Sequence, residues 1–540
     1  MEANGALDNQ QPGGRRRIDL RRWRPASLIL LLAPCYLAAI LTKGAGLFHD
    51  DGIYLVTAKA LAESKGYTVG SLPGHVLQTK YPIIFPAVLS LVWRILPTFP
   101  DNVLALKLVP ALCMMAFLFI TYRFGRKAAG ISSGAMLWIL FFTAATPWCI
   151  FLATNVMSEP LFALFTVSTL FALYHAKGRG WRWRELLSAA FLAGAAYQTR
   201  SAGASLMASC VWYLILSRKF KQAAIFAAIC AAIVVAWGHW QTQSTPTSTE
   251  AEAYYTAQSY KTSSVITMTA PRLERFEIGL FNVVYLLIYP LKVFVVPFRL
   301  PLHWLVMVLM GFPFWVFAAR GAYRFPELRL TGLFLATYIA MITLWVGEPS
   351  RFLLPVLPFL LILAYKGLPK RFPRMIAPVA ALGPLVLAGS YAVTSQANQW
   401  SCFGEVPWMK KPSGYHPAID GGKFYQMANW VKQNTDRDSV VLSGSDPALF
   451  LASERKSIRP YVVDEMGLYY SPSRDLQSKL REFEEVISRS GATFLSETGR
   501  EEAEDPDYPK ILGELEGRGR IQLVKNFGAN YRVYRIEAGR

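Results

Sequence analysis

The sequence is poor in charge for its size, since only 17% of its 540 residues are Asp, Glu, Lys or Arg. A soluble globular chain carries about 25% charged residues. Apolar residues make up 53%, and the mean hydropathy is +0.27. This composition excludes disorder, a collagen-like chain and a small disulfide scaffold. Because the apolar residues come in blocks of roughly twenty, long enough to cross a bilayer as helices, the sequence predicts a polytopic α-helical membrane protein.

Cysteine, glycosylation and nucleotide-binding signals are scarce or missing. The six cysteines form no CxxC pair, and Cys402 stands alone in the hydrophilic tail, so the tail has no internal disulfide. The chain has no Asn-x-Ser/Thr site and no phosphate-binding glycine motif, which favours a bacterial inner membrane over the endoplasmic reticulum. No small-residue cleavage site follows the apolar run Leu28–Ile40. The basic segment 1–25 is therefore predicted to be a cytoplasmic anchor and not a signal peptide.

Acidic residues are few in the first three quarters of the chain. Residues 1–396 hold 36 Lys+Arg against 15 Asp+Glu, whereas residues 397–540 hold 20 against 21. The basic excess lies in short segments between apolar blocks, as the positive-inside rule expects of cytoplasmic loops. Membrane orientation thus accounts for the net charge of +20, and the sequence predicts no nucleic-acid partner.

Hydropathy and charge together predict about eleven transmembrane helices within 26–395, with an inner N-terminus and an outer C-terminus. The predicted spans are 26–43, 102–121, 129–148, 158–175, 184–200, 202–217, 222–240, 301–319, 328–346, 350–365 and 373–394. Loops 44–100 and 241–276 then lie outside. Segment 277–299 is apolar but contains Pro290, Lys292 and Pro297. Counting it as a span breaks the charge pattern, so it is predicted to be interfacial or re-entrant.

The hydrophilic tail, 397–540, alternates helical and strand-like segments. An amphipathic helix is predicted over Lys423–Asn434, with two more at 447–454 and 474–490. Short β-rich runs are predicted at 439–442, 493–495, 521–523 and 531–536. This alternation predicts a small extracytoplasmic α/β domain after the membrane region.

Two adjacent carboxylates, Asp50 and Asp51, stand where the first helix leaves the membrane. A helix is predicted after them, with Ile53 and Tyr54 on its apolar face, and this would make Asp50 its N-cap. Capping and catalysis are compatible, because a capped carboxylate is held rigidly. One carboxylate would accept a proton, while its neighbour binds a metal or orients the acceptor.

Four further charged residues lie on the predicted outer side, Lys80 in loop 44–100 and the other three at helix ends. Lys80 precedes Tyr81-Pro82 and is either a phosphate ligand or a snorkelling lysine. Glu159 begins a predicted helix after Ser158, a plausible N-cap. Arg200 and Arg351 sit on the side that the positive-inside rule depletes of cations. Anion binding explains these arginines, and pairing with Glu159 or Glu348 is the alternative.

These residues fall within short motifs that share one membrane side. The motifs are Asp50-Asp51-x-x-Tyr54, Lys80-Tyr81-Pro82 with Phe85-Pro86, Ser158-Glu159-Pro160-Leu161-Phe162, Thr199-Arg200, and Arg351-Phe352-Leu353-Leu354-Pro355. With these motifs the chain resembles the GT-C membrane glycosyltransferases, nearest the bacterial relatives of protein O-mannosyltransferases and of the lipid A aminoarabinose transferase. The resemblance covers roughly 25–395 and, more weakly, the tail.

The resemblance implies a sugar donor on polyprenyl phosphate, an active site on the outer face and inversion at the sugar. It maps the family's acidic motif onto Asp50 and Asp51, although many members have Glu at the second position. Lys80 resembles the family's phosphate-contacting lysine, and Arg200 and Arg351 match recurrent arginines. Relatives differ in needing a divalent metal, which leaves a possible metal cofactor open.

Other functional classes account for fewer of these residues. A transporter or lipid-linked sugar flippase predicts charges near the bilayer midplane and two related halves, and the sequence has neither. A non-catalytic scaffold leaves the outer carboxylates and arginines without a purpose. The sugar and the acceptor, whether lipid, glycan or protein, are not specified by the sequence.

Overall fold

The computed structural model describes most of the chain. It covers residues 20–41, 44–244, 255–256, 272–295, 304–346, 349–369, 381, 384–386, 388–389, 421–461, 475–528 and 530–537. The predicted span 373–394 lies mostly outside these residues, as do Glu348 and Cys402.

The part of the chain that precedes the tail is helical. Its described α-helices are α1 Leu20–Ile40, α2 Asp50–Ala62, α3 Ile84–Ile95, α4 Val103–Lys127, α5 Ser133–Ala144, α6 Pro147–Thr154, α7 Glu159–Gly178, α8 Trp183–Tyr197, α9 Gly203–Leu216, α10 Phe220–Ser244, α11 Arg272–Val295, α12 Trp304–Arg324, α13 Arg329–Thr343 and α14 Leu357–Gly367. Two 3₁₀ turns, Pro326–Leu328 and Pro349–Leu353, precede α13 and α14. Most predicted spans correspond to one of these helices.

The predicted span 129–148 is wrong as a single helix. It forms α5 and α6, which meet at an angle of 72°. Pro147 causes the break, because a residue before proline is pushed out of the helical region. Thr146 adopts extended backbone (ψ 138°) and its hydroxyl caps α6 by accepting a hydrogen bond from Cys149 N.

Over its described part segment 277–299 is not re-entrant, and its interfacial location stays a prediction. It belongs to α11, an unbroken helix of 24 residues that packs against α12. Gly311 of α12 permits a close approach, since a Cβ there would lie 2.1 Å from Leu287 O. Pro326 marks the next sharp change of direction, a bend of 107° between α12 and α13.

The helices expose an apolar surface suited to lipid. Leu112 is 59% exposed, Phe119 61% and Val235 68%. By length and composition, α4, α7 and α10 are each able to cross a membrane, and the two bent pairs raise this number to five among the described residues. The chain is therefore a helical membrane protein, and the number of eleven spans stays a prediction.

The tail forms a five-stranded mixed sheet covered by short helices. Its strands are β1 Val440–Ser443, β2 Lys456–Ile458, β3 Phe494–Glu497, β4 Ile521–Asn526 and β5 Arg532–Ile536, in the order β2-β1-β3-β5-β4. The β1 strand runs parallel to β2 and β3, and β5 is antiparallel to β3 and β4. The described helices of the tail are α15 Gly421–Asn434, α16 Asp446–Ser453, α17 Leu476–Ser490, α18 Arg500–Glu504 and α19 Tyr508–Gly517. The sequence predicts the α/β character but misses β2, which has only three residues.

Loop 44–100 packs with the sheet domain as well as with the membrane helices. One apolar cluster joins Ile53 of α2 and Leu89 of α3 to Leu442 of β1 and Leu480 of α17. Polar contacts reinforce it, since Lys456 Nζ donates to Gly70 O at 2.7 Å and Ser457 N donates to Ser71 O at 2.8 Å. The sheet domain thus supports the loop that carries Asp50 and Asp51.

Candidate active site

The turn before α2 is organised by the Asp51 carboxylate. Its oxygens accept hydrogen bonds from the backbone N–H groups of Gly46 at 2.7 Å, Phe48 at 2.9 Å and Gly52 at 2.8 Å. The side chain is buried. Burial raises the pKa of Asp51 to about 6, although these N–H donors favour the ionised form. Both oxygens of Asp51 are therefore engaged in holding the turn.

The predicted N-cap role of Asp50 is wrong. The N-cap position belongs to His49, whose side chain makes no capping bond, and Asp50 is the first residue of α2. His49 has φ 79° and ψ −61°, a sparsely populated backbone region for a residue other than glycine. The amides of Gly46 and Phe48 bind Asp51, so the chain turns sharply here. The Asp50 side chain points away from these amides.

The Asp50 carboxylate meets a phenol and a guanidinium. Tyr81 Oη donates to Asp50 Oδ1 at 2.5 Å, and Arg351 Nη2 donates to Asp50 Oδ2 at 2.5 Å. Burial alone would raise the pKa of Asp50, but the charge of Arg351, the Tyr81 hydrogen bond and the charge of Lys80 hold it at about 2. The side chain retains 22% exposure, so Asp50 is an ionised and partly exposed carboxylate.

Glu159 links two arginines behind Asp50. Its Oε1 lies 2.8 Å from Arg351 Nε and 3.0 Å from Arg200 Nη1. Its Oε2 is buried and accepts no hydrogen bond among the described residues. Aromatic rings flank the guanidinium groups, since Arg351 lies 5.1 Å from the Phe48 ring centroid and Arg200 lies 5.5 Å from that of Phe352. The two arginines are thereby held rigidly side by side.

The remaining predicted residues complete this cluster. Tyr54 Oη shares a 2.9 Å hydrogen bond with Ser158 Oγ, and Arg200 Nη1 donates to the same oxygen at 3.0 Å. Ser158 occupies the N-cap position of α7 as predicted, but its hydroxyl serves this network and makes no capping bond. Lys80 Nζ lies 5.7 Å from the Tyr81 ring centroid.

Helix ends place these side chains together. Asp50 begins α2, Tyr81 precedes α3, Glu159 begins α7, Arg200 follows α8, and Arg351 lies in the 3₁₀ turn before α14. The structure thus gathers all the predicted residues except Asp51 into one network, which we call the acid–arginine cluster: Asp50, Tyr54, Lys80, Tyr81, Glu159, Arg200 and Arg351. Sequence reasoning missed the roles of the Ser158 hydroxyl and of Phe48 and Phe352, although each lies beside a residue that it singled out.

The charges of the acid–arginine cluster favour an anion. Among the described residues of the cluster, the three cations Lys80, Arg200 and Arg351 outnumber the two carboxylates Asp50 and Glu159 by one positive charge. Arginine and lysine are the usual ligands of phosphate. Within the described part of the chain, no three His, Cys, Asp or Glu side chains lie close enough to hold a metal ion. Both oxygens of Asp50 and of Asp51 already accept hydrogen bonds from N–H or O–H donors.

The sheet domain touches this region directly. Arg500 Nη1 donates to Leu47 O at 2.8 Å, three residues before Asp50. Gly52 of α2 faces Pro447 of α16, and a Cβ on Gly52 would lie 2.7 Å from Pro447 Cβ. Contacts with the tail therefore hold the turn that carries Asp50 in place.

Solved structures with the same architecture exist. ArnT from Cupriavidus metallidurans bound to undecaprenyl phosphate matches with a TM-score of 0.56 and 13% identity, over 95% of this chain and 98% of that one. The Archaeoglobus fulgidus oligosaccharyltransferase in complex with Zn and sulfate matches with a TM-score of 0.52 and 14% identity, over 93% of this chain and 72% of that one. No protein-family model and no curated protein sequence matches the chain. At these identities the likeness concerns architecture, and the predicted resemblance is confirmed at that level: the chain has the GT-C fold of membrane glycosyltransferases.

Proposed function

We propose that the protein is an integral-membrane glycosyltransferase that moves a sugar from a polyprenyl-phosphate donor to an acceptor hydroxyl on the outer face of a bacterial inner membrane. One observation carries this proposal: the ionised Asp50 carboxylate contacts Arg351, and Glu159 joins Arg351 to a second arginine, Arg200. The fold adds support, because a structure of ArnT with this fold is described as bound to undecaprenyl phosphate.

The reaction needs a base for the acceptor and cations for the leaving group. Asp50 takes the proton of the acceptor hydroxyl as its oxygen attacks the anomeric carbon. The bond from that carbon to the phosphate oxygen breaks, and its electron pair leaves with the polyprenyl phosphate. Attack on the face opposite the phosphate inverts the anomeric centre. No general acid is required, since polyprenyl phosphate leaves as a stable anion.

Arg351 links binding of the donor phosphate to the proton affinity of Asp50. In the structure its guanidinium bonds both Asp50 and Glu159, and the pKa of Asp50 stays at about 2 while Arg351 is its partner. A donor phosphate that binds Arg351 competes with Asp50 for that guanidinium. Loss of the Arg351 contact raises the pKa of Asp50 toward its ordinary range, so donor binding makes Asp50 a stronger base. Lys80 and Arg200 supply the remaining positive charge.

Asp50→Asn tests this assignment, because Asn keeps the side-chain size and removes the basicity. Cells that lack the protein are complemented with wild type, Asp50→Asn or Asp438→Asn, an exposed acid of the tail. Mass spectrometry of extracted lipids then measures polyprenyl-phosphate-linked sugars, and glycan analysis measures the surface product. We expect Asp50→Asn to accumulate a lipid-linked sugar and to reduce its transfer by roughly 10²-fold or more, the contribution of a positioned base.

The Asp438→Asn control should behave as wild type. Unchanged lipid-linked sugars and surface glycans on deletion of the protein would contradict the glycosyltransferase assignment itself. Normal transfer by Asp50→Asn, with a deletion phenotype present, would contradict only the role of Asp50 as the base.

A further inference from the structure

A basic cavity opens at the end of the bundle opposite the acid–arginine cluster. It has a volume of about 530 Å³ and is lined by Lys127, Tyr174, His175, Lys177, Arg179 and Glu327. Glu159 begins α7 and the cavity residues lie at the other end of that helix, about 30 Å away at 1.5 Å per residue. The cavity is therefore separate from the proposed catalytic site.

Three chain segments that the sequence predicts to be cytoplasmic converge there. Lys127 ends α4, Lys177 lies in the last turn of α7, and Glu327 lies in the 3₁₀ turn before α13. Tyr174 Oη joins two of these segments by donating to Lys127 O at 2.9 Å. Cations at helix C-termini are favoured by the helix dipole, but the dipole does not explain why three segments enclose a concave space.

The cavity carries unneutralised positive charge. Arg179 is paired, since its Nη1 lies 2.8 Å from Glu185 Oε1. Lys127 and Lys177 make no ion pair with any acid in the described part of the chain, and both are exposed. Among the described lining residues Glu327 is the one acid, which leaves a positive balance. An anionic ligand is the complement of this lining.

An apolar ridge on α4 runs toward the end of the helix that carries Lys127. Leu108, Leu112, Met115 and Phe119 are 43%, 59%, 64% and 61% exposed. Their spacing of four, three and four residues places them on one face of the helix. At the cavity end of the ridge, the Arg123 guanidinium lies 6.0 Å from the Phe119 ring centroid. The exposed apolar ridge thus ends near the basic last turn of α4, which holds Arg126 and Lys127.

We propose that the basic cavity binds the phosphodiester headgroup of an anionic phospholipid of the inner leaflet, with an acyl chain along the α4 ridge. Basic pockets between membrane helices on the cytoplasmic side are suited to such headgroups. Lys127 and Lys177 contact the phosphodiester, and Tyr174 and Arg179 border it. The site is independent of sugar transfer and anchors the bundle in anionic membrane.

Native mass spectrometry of the detergent-purified full chain measures this binding. Phosphatidylglycerol is titrated against wild type, a Lys127→Gln/Lys177→Gln variant and a Lys219→Gln/Lys221→Gln control. The control removes the same charge from the α9–α10 turn, outside the cavity. Removing a lysine near an anionic lipid costs about fivefold in affinity, so we expect the cavity variant to bind roughly 25-fold more weakly and the control to bind as wild type.

Two further ligands identify the source of the phosphate. Phosphatidylcholine should bind wild type weakly, and glycerol 3-phosphate, which lacks the acyl chains, should not displace phosphatidylglycerol. Equal binding of phosphatidylglycerol by wild type and the cavity variant would overturn the proposal, as would equal losses in the cavity variant and the control. Displacement by glycerol 3-phosphate would assign the cavity to a soluble phosphate instead. Each variant's thermal unfolding without lipid is compared with wild type, so that misfolding is not read as lost binding.

Discussion

Asp50 and Asp51 are neighbours in the chain, but their carboxylates bind different groups. Asp51 accepts three backbone N–H groups in a buried turn, whereas Asp50 meets Arg351 and Tyr81 in the acid–arginine cluster. Because the amide of Asn replaces one acceptor oxygen by a donor, Asp51→Asn leaves a buried N–H unpaired. Such a loss costs about 1–3 kcal/mol. We expect Asp51→Asn to lower the unfolding temperature, with any loss of activity following loss of folded protein.

Thermal unfolding and the specific activity of the folded fraction measure this difference between the two acids. Asp50→Asn serves as the comparison, since it should reduce activity with little effect on unfolding. A strong loss of specific activity in Asp51→Asn at unchanged stability would instead make Asp51 the base.

The coupling between Arg351 and Asp50 predicts a shift in the pH profile. The charge of Arg351 lowers the pKa of Asp50, so Arg351→Gln should raise that pKa. A base is protonated below its pKa, and the acid limb of kcat/KM should therefore move to higher pH in Arg351→Gln. Arg200→Gln is the matched control, because Arg200 bonds Glu159 and Ser158 rather than Asp50.

The pH dependence of kcat/KM is measured from pH 4 to 8 for wild type and both variants. The wild-type acid limb, near pH 2, lies below this range, and in Arg351→Gln the limb should enter it. Both variants should lose donor affinity, but only Arg351→Gln should move the acid limb. An unmoved limb in Arg351→Gln, at measurable activity, would show that the essential base is not in contact with Arg351.

The sequence predicts residue types at this site better than their contacts. Hydropathy and charge indicate at which membrane surface a helix ends. They therefore predict that Asp50, Glu159, Arg200 and Arg351 lie at the same membrane surface. It does not say which helices are neighbours. The contact between Asp50 and Arg351 spans 301 positions of the chain, and no local pattern encodes it. The sequence also does not predict that Asp51 binds the backbone of the turn before α2, because the shape of that turn depends on contacts with the tail.

At the scale of elements, the contact between α2 and α16 connects the tail to the site. Gly52 lies at this contact, and a Cβ there would lie 2.7 Å from both Gly46 O and Pro447 Cβ. Gly52→Ala should therefore destabilise the protein by about 1–3 kcal/mol through overpacking, even though Ala is the better helix former. Activity should fall as well, since the turn that carries Asp50 must shift.

Gly134→Ala is the control for Gly52→Ala, because its Cβ would meet no atom within 4 Å. We expect it to be neutral or stabilising by less than about 1 kcal/mol. Thermal unfolding and transfer activity are measured for both variants. If Gly52→Ala were as stable and active as Gly134→Ala, the α2–α16 contact would have no part in presenting Asp50.

Helices were predicted well where apolar periodicity and length agree, as in α4, α7 and α10. Prediction failed where proline divides an apolar run, because Pro147 bends the chain by 72° between α5 and α6 without lowering its hydropathy. It also failed at Lys456–Ile458, since a strand of three residues has too few positions to show alternation. Its pairing with β1 depends on a neighbour that the local sequence does not specify.

At the scale of the whole molecule, charge asymmetry predicts opposite locations for the two ends of the bundle. The acid–arginine cluster lies at one end and the basic cavity at the other. The sheet domain contacts loop 44–100 through Lys456 and Gly70, so the tail lies on the same side as Asp50. The location of the tail relative to the membrane therefore reports the location of the proposed active site.

Cysteine labelling of intact cells tests this orientation. Starting from Cys402→Ser, single changes introduce Ser488→Cys on α17 of the tail or Ser133→Cys at the start of α5, and both positions are exposed. With the N-terminus inside, a membrane-impermeant maleimide should label Ser488→Cys in intact cells but Ser133→Cys only after lysis. The Cys402→Ser parent sets the background from the chain's other cysteines. The reverse pattern would place Asp50 in the cytoplasm, where an acceptor on the outer face cannot reach it, and would exclude the proposed reaction at that surface.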